Sequence, residues 1–262
     1  MKVMPFILRY NITALLSLLM INGCSVKEER DACPCRLFLD LTSVDMSVSS
    51  PLTLYVASAD GFEYVEVLDA EEGEECVVEV PRTYIDIVGW SGCDGYMNGR
   101  EMRIPVGMEC PPVYIHTAGI VADGEAVYNT VHLRRNHCVL SVAFAEPEDI
   151  GFLTVRGEVA GFDKVGKPMN GEFCVRAQGN PSVTTPVEFC IPRQNTGHLY
   201  LDVADALGFV RTFPLHKYIA AVGYDWTSDD LDDLSLTLNY TESSISIVIQ
   251  GWTEEFVIGV VI

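Results

Sequence analysis

Residues 234–250 read LSLTLNYTESSISIVIQ. Leu234, Leu236, Leu238 and Tyr240 alternate with Ser235, Thr237 and Asn239. Ile245, Ile247 and Ile249 then alternate with Ser246, Val248 and Gln250. Successive side chains leave opposite faces of a strand, so an apolar residue at every second position marks a strand with one face on a core. A helical stripe would instead set Thr237 and Asn239 beside Leu234 and Leu236. The segment is two strands.

The same period recurs upstream at Cys138, Leu140, Val142 and Phe144. Shorter apolar, β-branched runs at 36–41, 52–57, 76–80, 84–90, 113–117 and 127–133 are further candidate strands. So are 153–159, 172–177, 188–191, 199–203, 211–215 and 256–262. Asp60-Gly61, Asp94-Gly95, Asp123-Gly124 and Asn170-Gly171 punctuate them as turn formers. No window carries a sustained helical stripe, and 203–207 and 229–234 have room for one short helix each. The chain is therefore expected to be all-β. About fourteen strands exceed one seven-stranded sandwich, which predicts two tandem β-sandwich domains. The polar, proline-bearing stretch 145–151 (AEPEDIG) sets the boundary, giving domains at 36–147 and 148–262.

The N-terminus has a different character. Lys2 and Arg9 precede ten residues from Ile12 to Ile21 that are mostly apolar, and Gly23-Cys24 follows. Ten residues are too few to span a bilayer as a helix, which needs about 20. The layout is that of a secretory signal over 1–23. Gly23-Cys24 is similar to a bacterial lipobox, in which the cysteine becomes the acylated first residue. Ile21 and Asn22 depart from the commoner residues there, and an ordinary signal with an incidental cysteine is the alternative. Two or more acyl chains hold a protein to lipid without a basic patch. Residues 25–31 (SVKEERD) are indeed mixed to acidic, as suits a hydrated tether over 24–35.

Removing 1–23 takes away Lys2 and Arg9 and no acid, so the formal charge moves from −20 to −22. That excess disfavours nucleic acid and anionic lipid surfaces as partners. Eight cysteines remain after Cys24, at 33, 35, 76, 93, 110, 138, 174 and 190. Outside the cytoplasm some would pair, and Cys174 and Cys190, in successive strand-like runs, are one candidate pair. No paired C-x-x-C knuckle suggests zinc.

Catalytic signatures are scarce. Gly89-Trp90-Ser91-Gly92-Cys93 lacks the last glycine of a nucleophile elbow. No H-E-x-x-H, P-loop or G-x-G-x-x-G occurs. The five histidines never fall at ligand spacing on one element, and no cofactor or metal site is expected. Asp229-Asp230-Leu231-Asp232-Asp233 is the densest acid run. It offers oxygens for calcium but lacks the spacing and turn glycine of an EF-hand loop. The competing reading is a solvated loop or a helix cap by Thr227 and Asp230.

Asp31-Ala32-Cys33-Pro34-Cys35 running into RLFLDL is similar to the opening of the FimB/Mfa-type fimbrial anchoring subunits of Bacteroidales. The second half resembles them more, through VRGEVAGFDKVG (155–166), KPMNGEF (167–173), Ile191-Pro192-Arg193-Gln194, Phe213-Pro214-Leu215 and Gly223-Tyr224-Asp225-Trp226. The strand after residue 231, the isoleucine strand and Trp252 complete the likeness in order. Lys27-Glu28-Glu29 also resembles the acidic tag that directs some Bacteroidetes lipoproteins to the cell surface. The resemblance implies two transthyretin-like sandwiches and no enzyme. It implies an outer-membrane lipoprotein, lipidated at Cys24 and facing outward, that roots a fimbrium and can limit its length. Its partners would be the stalk subunit (fimbrillin) and outer-membrane lipid. His216 departs from the small residue commoner in the family after Phe-Pro-Leu.

The last seven residues suggest how stalk and anchor join. Phe256, Val257, Ile258, Val260, Val261 and Ile262 flank Gly259 in an uncharged, strongly β-forming run. Donated to a neighbour, such a strand gains continuous main-chain pairing while alternate side chains fill pockets. Pairing within its own domain is the other possibility. A fimbrial tip or adhesin subunit and a surface glycan-binding lipoprotein are the rival functions. The glycan reading calls for exposed aromatics, and two of Trp90, Trp226 and Trp252 sit in segments suited to core packing.

Overall fold

The computed structural model describes residues 33–49, 51–69, 75–146, 150–179, 181–195, 197–239, 244–249 and 252–257. Cys24 and the expected signal lie outside them. The first eleven strands are β1 (Cys35–Asp40), β2 (Leu52–Ser58), β3 (Glu63–Leu68), β4 (Glu75–Val80), β5 (Tyr84–Ser91), β6 (Met97–Asn98), β7 (Glu101–Arg103), β8 (Tyr114–Val121), β9 (Ala126–Thr130), β10 (Arg134–Arg135) and β11 (His137–Phe144). There follow β12 (Ile150–Phe162), β13 (Pro168–Ala177), β14 (Val187–Pro192), β15 (Tyr200–Asp205), β16 (Val210–Phe213), β17 (Leu234–Asn239), β18 (Ser244–Ile249) and β19 (Trp252–Val257). Two short helices, α1 (Met46–Ser49) and α2 (Leu215–Ala221), interrupt them. The fold is an all-β sandwich fold, as the two-residue period predicts.

Among the described residues four sheets form around two apolar clusters. A three-stranded sheet in the order β4-β1-β9 and a five-stranded sheet β10-β8-β5-β2-β3 enclose the smaller cluster. Leu37 and Leu39 of β1 meet Leu52 and Leu54 of β2 there, all fully buried. The larger cluster lies between a sheet β16-β15-β12-β7-β6, to which β13 adds by pairing with β12, and a sheet β14-β11-β17-β18-β19. Phe162, Phe173 and Phe189 fill it. Each such side chain contributes roughly 1.5–3 kcal/mol by leaving water. The clusters meet along β5, where Ile85 and Ile87 belong to the smaller and Val88 and Trp90 to the larger.

Strand partners cross the expected 147/148 division. Residues 147–149 themselves lie outside the described ones. β11, before the division, pairs antiparallel with β14 and parallel with β17. β7 pairs with the end of β12 through Gly161↔Arg103 and Phe162↔Met102.

Several local expectations change. Asn170-Gly171 is not a turn but lies inside β13. The turn before β13 is made by Asp163, whose Oδ1 accepts the N–H groups of Val165 (3.0 Å) and Lys167 (2.9 Å), with Gly166 at φ +76°. The candidate helices at 203–207 and 229–234 are absent. Helix α2 forms instead after Pro214, burying Leu215 and Ile219. The strand expected over 211–215 therefore ends at Phe213. β3 was hidden in the sequence because only its last residue, Leu68, is buried and it lies at a sheet edge. Cys174 and Cys190 do not face each other. Cys174 stands opposite Arg156 on β13, and Cys190 stands opposite Val139 in a different sheet.

Candidate functional site

The expected donor run begins inside β19, the last strand of the sheet β14-β11-β17-β18-β19. In the register of β18 and β19, Ile245 pairs with Phe256 and Ser244 with Val257. The next pairing places Leu236 opposite Ile247, with both side chains in the core. Phe256 and Val257 are thus paired with a strand of their own chain. Ile258, Val260, Val261 and Ile262 lie outside the described residues. Among the described residues β19 ends its sheet, so its far side has no strand beside it. Unpaired N–H and C=O groups on such an edge are a template for another strand.

A polar knot fixes the root of this hairpin. The Arg135 N–H donates to Asp230 Oδ1 at 2.7 Å, while its guanidinium reaches the Leu231 carbonyl (3.2 Å) and Asp233 Oδ1 (2.5 Å). Asp233 Oδ1 also accepts the Val139 N–H at 2.7 Å, tying the start of β17 to β11. Arg134 pairs with Asp229 at 2.5 Å. Arg193 donates to the carbonyls of Trp226, Arg135 and Asp229 and to Asn136 Oδ1. Burial lowers the Arg193 pKa, and its carbonyl and amide partners hold the cation in place. The acid run is therefore a loop clamped by arginines. Thr227 caps no helix, since its N–H and hydroxyl both go to Asp225 Oδ1. Beside the knot, Arg134, Asn136, Lys167, Arg193, Thr227 and Asp229 help line a cleft of 360 Å³.

His116, His132 and His137 are held by hydrogen bonds within the fold. His116 and His137 are buried and hydrogen-bonded, and His132 bonds to Ser43 Oγ at 3.1 Å. Ser91, from the glycine-poor elbow, donates to the Ser49 carbonyl in the interior.

Exposed aromatics occur where the tryptophan count did not point. Trp90 and Trp226 are buried. On the outer face of the three-stranded sheet, Phe38 stands opposite Val77 on one side and Tyr128 on the other. The Phe38 and Tyr128 rings stack with centroids 4.9 Å apart and planes 16° apart, and Tyr128 is 71% exposed. RLFLDL carried the signal, since Phe38 falls on the face opposite Leu37 and Leu39. Among the described residues no helix is long and apolar enough to cross a membrane.

No protein-family model and no curated protein matches the sequence. Solved structures do match in fold. A Bacteroides thetaiotaomicron protein provisionally described as polysaccharide-binding is similar at a TM-score of 0.65 and 14% identity, over 85% of this chain and 98% of its own. The fimbrial anchor protein Mfa2 from Porphyromonas gingivalis is similar at 0.60 and 15%, over 84% of this chain and 99% of its own. An adhesin candidate from Bacteroides ovatus is similar at 0.59 and 13%, over 89% and 98%. The chain thus has the fold of Mfa-type fimbrial proteins, spread over almost the full length of each.

Proposed function

We propose that the chain is a fimbrial anchoring subunit. Acyl chains on Cys24 hold it in the outer membrane, facing outward, and its sandwich body joins the first stalk subunit by strand exchange at the β19 edge. The observation that carries this reading is the near end-to-end likeness in fold to a fimbrial anchor. Gly23-Cys24 after an apolar run supports the anchor over the tip, because a tip sits at the far end of the fibre from lipid. The run beyond Val257 supplies a β-forming, uncharged segment following β19, which has no strand on its far side among the described residues.

The test is in cells. Mass spectrometry of the membrane-extracted protein should find Cys24 as an acylated first residue, and stalk protein should co-purify with it from unsheared membranes. Cys24→Ala should move protein and fibres into the medium. An unmodified N-terminus before Cys24, or full membrane retention of the variant, would overturn the anchor. Deleting 258–262 spares β19 and should abolish recovery of stalk protein with the anchor. Unchanged recovery would remove strand donation while leaving lipid anchoring in place.

A second reading rests on the Phe38–Tyr128 stack. Flat exposed aromatic faces, flanked by Arg36, Asp40 and Glu79 on the same sheet, suit a sugar ring. One structural neighbour is itself provisionally described as polysaccharide-binding. Glycan-array binding that is lost in Tyr128→Ala, together with no stalk protein co-purifying with the native chain, would favour this reading over the anchor.

A further inference from the structure

Cys110 and Cys190 sit side by side at the β14 edge of the sheet β14-β11-β17-β18-β19, the edge opposite β19. The Cys110 N–H donates to the Cys190 carbonyl at 3.1 Å. A single main-chain bond of this kind brings the two backbones to about the 4.7–4.9 Å spacing of neighbouring strands, within the roughly 4.4–6.8 Å between Cα atoms that a disulfide spans. On its other side β14 pairs with β11, with Cys190 opposite Val139 and Ile191 opposite Cys138. Alternation turns Phe189 and Ile191 into the core and Cys190 to the outer face. Cys138 shares the face of Ile191, so the sheet separates it from Cys190. Cys110 is buried and Cys190 half-buried, and the Cys110 thiol, which donates to the Pro111 carbonyl at 3.2 Å, lies close enough to the Cys190 thiol for the two to couple electrostatically. The other cysteines are placed differently. Cys35 and Cys76 lie on adjacent strands but stand opposite Val80 and Leu39, four register positions apart. Cys174 is in another sheet.

We propose that Cys110 and Cys190 are joined by a disulfide once the chain is exported. The proposal rests on the export reading of the N-terminus, because thiols stay reduced in the cytoplasm. The co-reactant is the disulfide of a thiol–disulfide oxidoreductase. Cys190 loses its proton and attacks one sulfur of that disulfide, forming a mixed disulfide and releasing the other sulfur as a thiolate. Cys110 then loses its proton and attacks the Cys190 sulfur, expelling the second thiolate. Two thiols here give up two protons and two electrons, and the oxidoreductase ends as a dithiol. The order follows from the contact. The Cys110 hydrogen bond lowers the Cys190 pKa, whereas burial raises that of Cys110. The bridge would close a loop of about 80 residues. It would bind the segment after β7 to the β14 edge, covering it and leaving β19 as the edge open to a partner.

The test is a non-reducing peptide map of the full-length protein, extracted from membranes after acid quenching and thiol blocking. One cross-linked peptide pair, 2 Da lighter than its free thiols, should join the Cys110 and Cys190 peptides. It should survive Cys138→Ser and vanish in Cys190→Ser. Reductant should lower the melting temperature of the native chain by several degrees and leave Cys190→Ser unmoved. A second sample, reduced and then treated with oxidised glutathione, separates pairing from compartment. Blocked, unlinked Cys110 and Cys190 in both samples would overturn the pairing. Linkage only in the glutathione sample would overturn the proposal through the export reading. A bridge from either cysteine to Cys138 would overturn it through geometry.

Discussion

Gln194 places its side-chain amide against the bare Cα of Gly157, where any Cβ would collide with it. From there Gln194 Oε1 accepts the N–H groups of Glu158 (3.0 Å) and Val159 (3.2 Å), and Nε2 donates to the Pro192 carbonyl at 3.0 Å. The register of β12 with β13 shifts between Gly157 and Val159, so this is where the ladder leaves main-chain groups to be satisfied. A buried glutamine thus pins the irregular stretch of β12 to the end of β14 in the facing sheet.

Gln194→Ala strips two buried N–H groups of their acceptor at once. Each unsatisfied donor costs about 1–3 kcal/mol, so unfolding by urea should show a loss of about 2–6 kcal/mol. Gly157→Ala should be destabilising alone but add much less in the Gln194→Ala background, since its clash is with the amide that has been removed.

This contact also explains which parts of the fold were legible in the sequence. Strands with one buried face, such as Leu234–Asn239, announce themselves by alternation, because one face must leave water. β3 gives no such signal, since its valines alternate with glutamates on an edge that is largely solvated. Partner choice was not legible at all. The alternation of Cys138, Leu140 and Val142 says that β11 has a buried face, but not that its neighbours are β14 and β17. Nor did spacing show that Gly157, Arg193, Gln194, Tyr224 and Trp226 converge. They come from separate family-like segments, and only the packing of two sheets brings Arg193 to the Trp226 carbonyl and Gln194 to Gly157.

The acid run gives a second prediction. Asp233 holds both Arg135 and the Val139 N–H through one oxygen. Its carboxylate is half-exposed, which weakens the pair. Asp233→Ala should therefore cost about 1–2 kcal/mol, with partial rescue by Asp233→Asn, which keeps the acceptor. Because arginines and N–H groups already engage these carboxylates, millimolar calcium or a chelator should leave the melting temperature unchanged.

Gly161 provides a third. It stands opposite Arg103 where β7 joins β12, at φ +152°, and an added Cβ would run into the Met102 carbonyl. Backbone strain of this type costs about 1–3 kcal/mol, and the collision adds to it. Gly161→Ala should lower stability by at least about 2 kcal/mol. Hydrogen exchange should show lost protection at Arg103 and Ile104, whose N–H groups bond to the Tyr96 and Ala160 carbonyls.

The buried histidines set the response to acid. His116 bonds through Nε2 to Asn129 Oδ1 at 2.9 Å, and its Nδ1 accepts the His132 N–H at 3.1 Å. His137 bonds through Nδ1 to the Val113 carbonyl at 3.1 Å, and its Nε2 accepts from Arg135 at 3.3 Å. Each ring then has one donating and one accepting nitrogen, which is the neutral form. Burial is the main reason that both pKa values fall below the ordinary histidine value. The unfolded chain therefore binds more protons than the folded one as pH drops below about 6.5, the unperturbed histidine pKa. Unfolding takes up protons in that window, so stability decreases with falling pH and is flat above it. The lowered carboxyl of Asp40, held by the N–H and hydroxyl of Thr42, gives way only below about 4 and does not blur the window. Thermal melts from pH 7.5 to 5 should show a falling midpoint, and His116→Gln should flatten part of the slope while lowering the plateau. A melting temperature that rises on acidification through pH 6 would mean that both rings are charged in the folded protein.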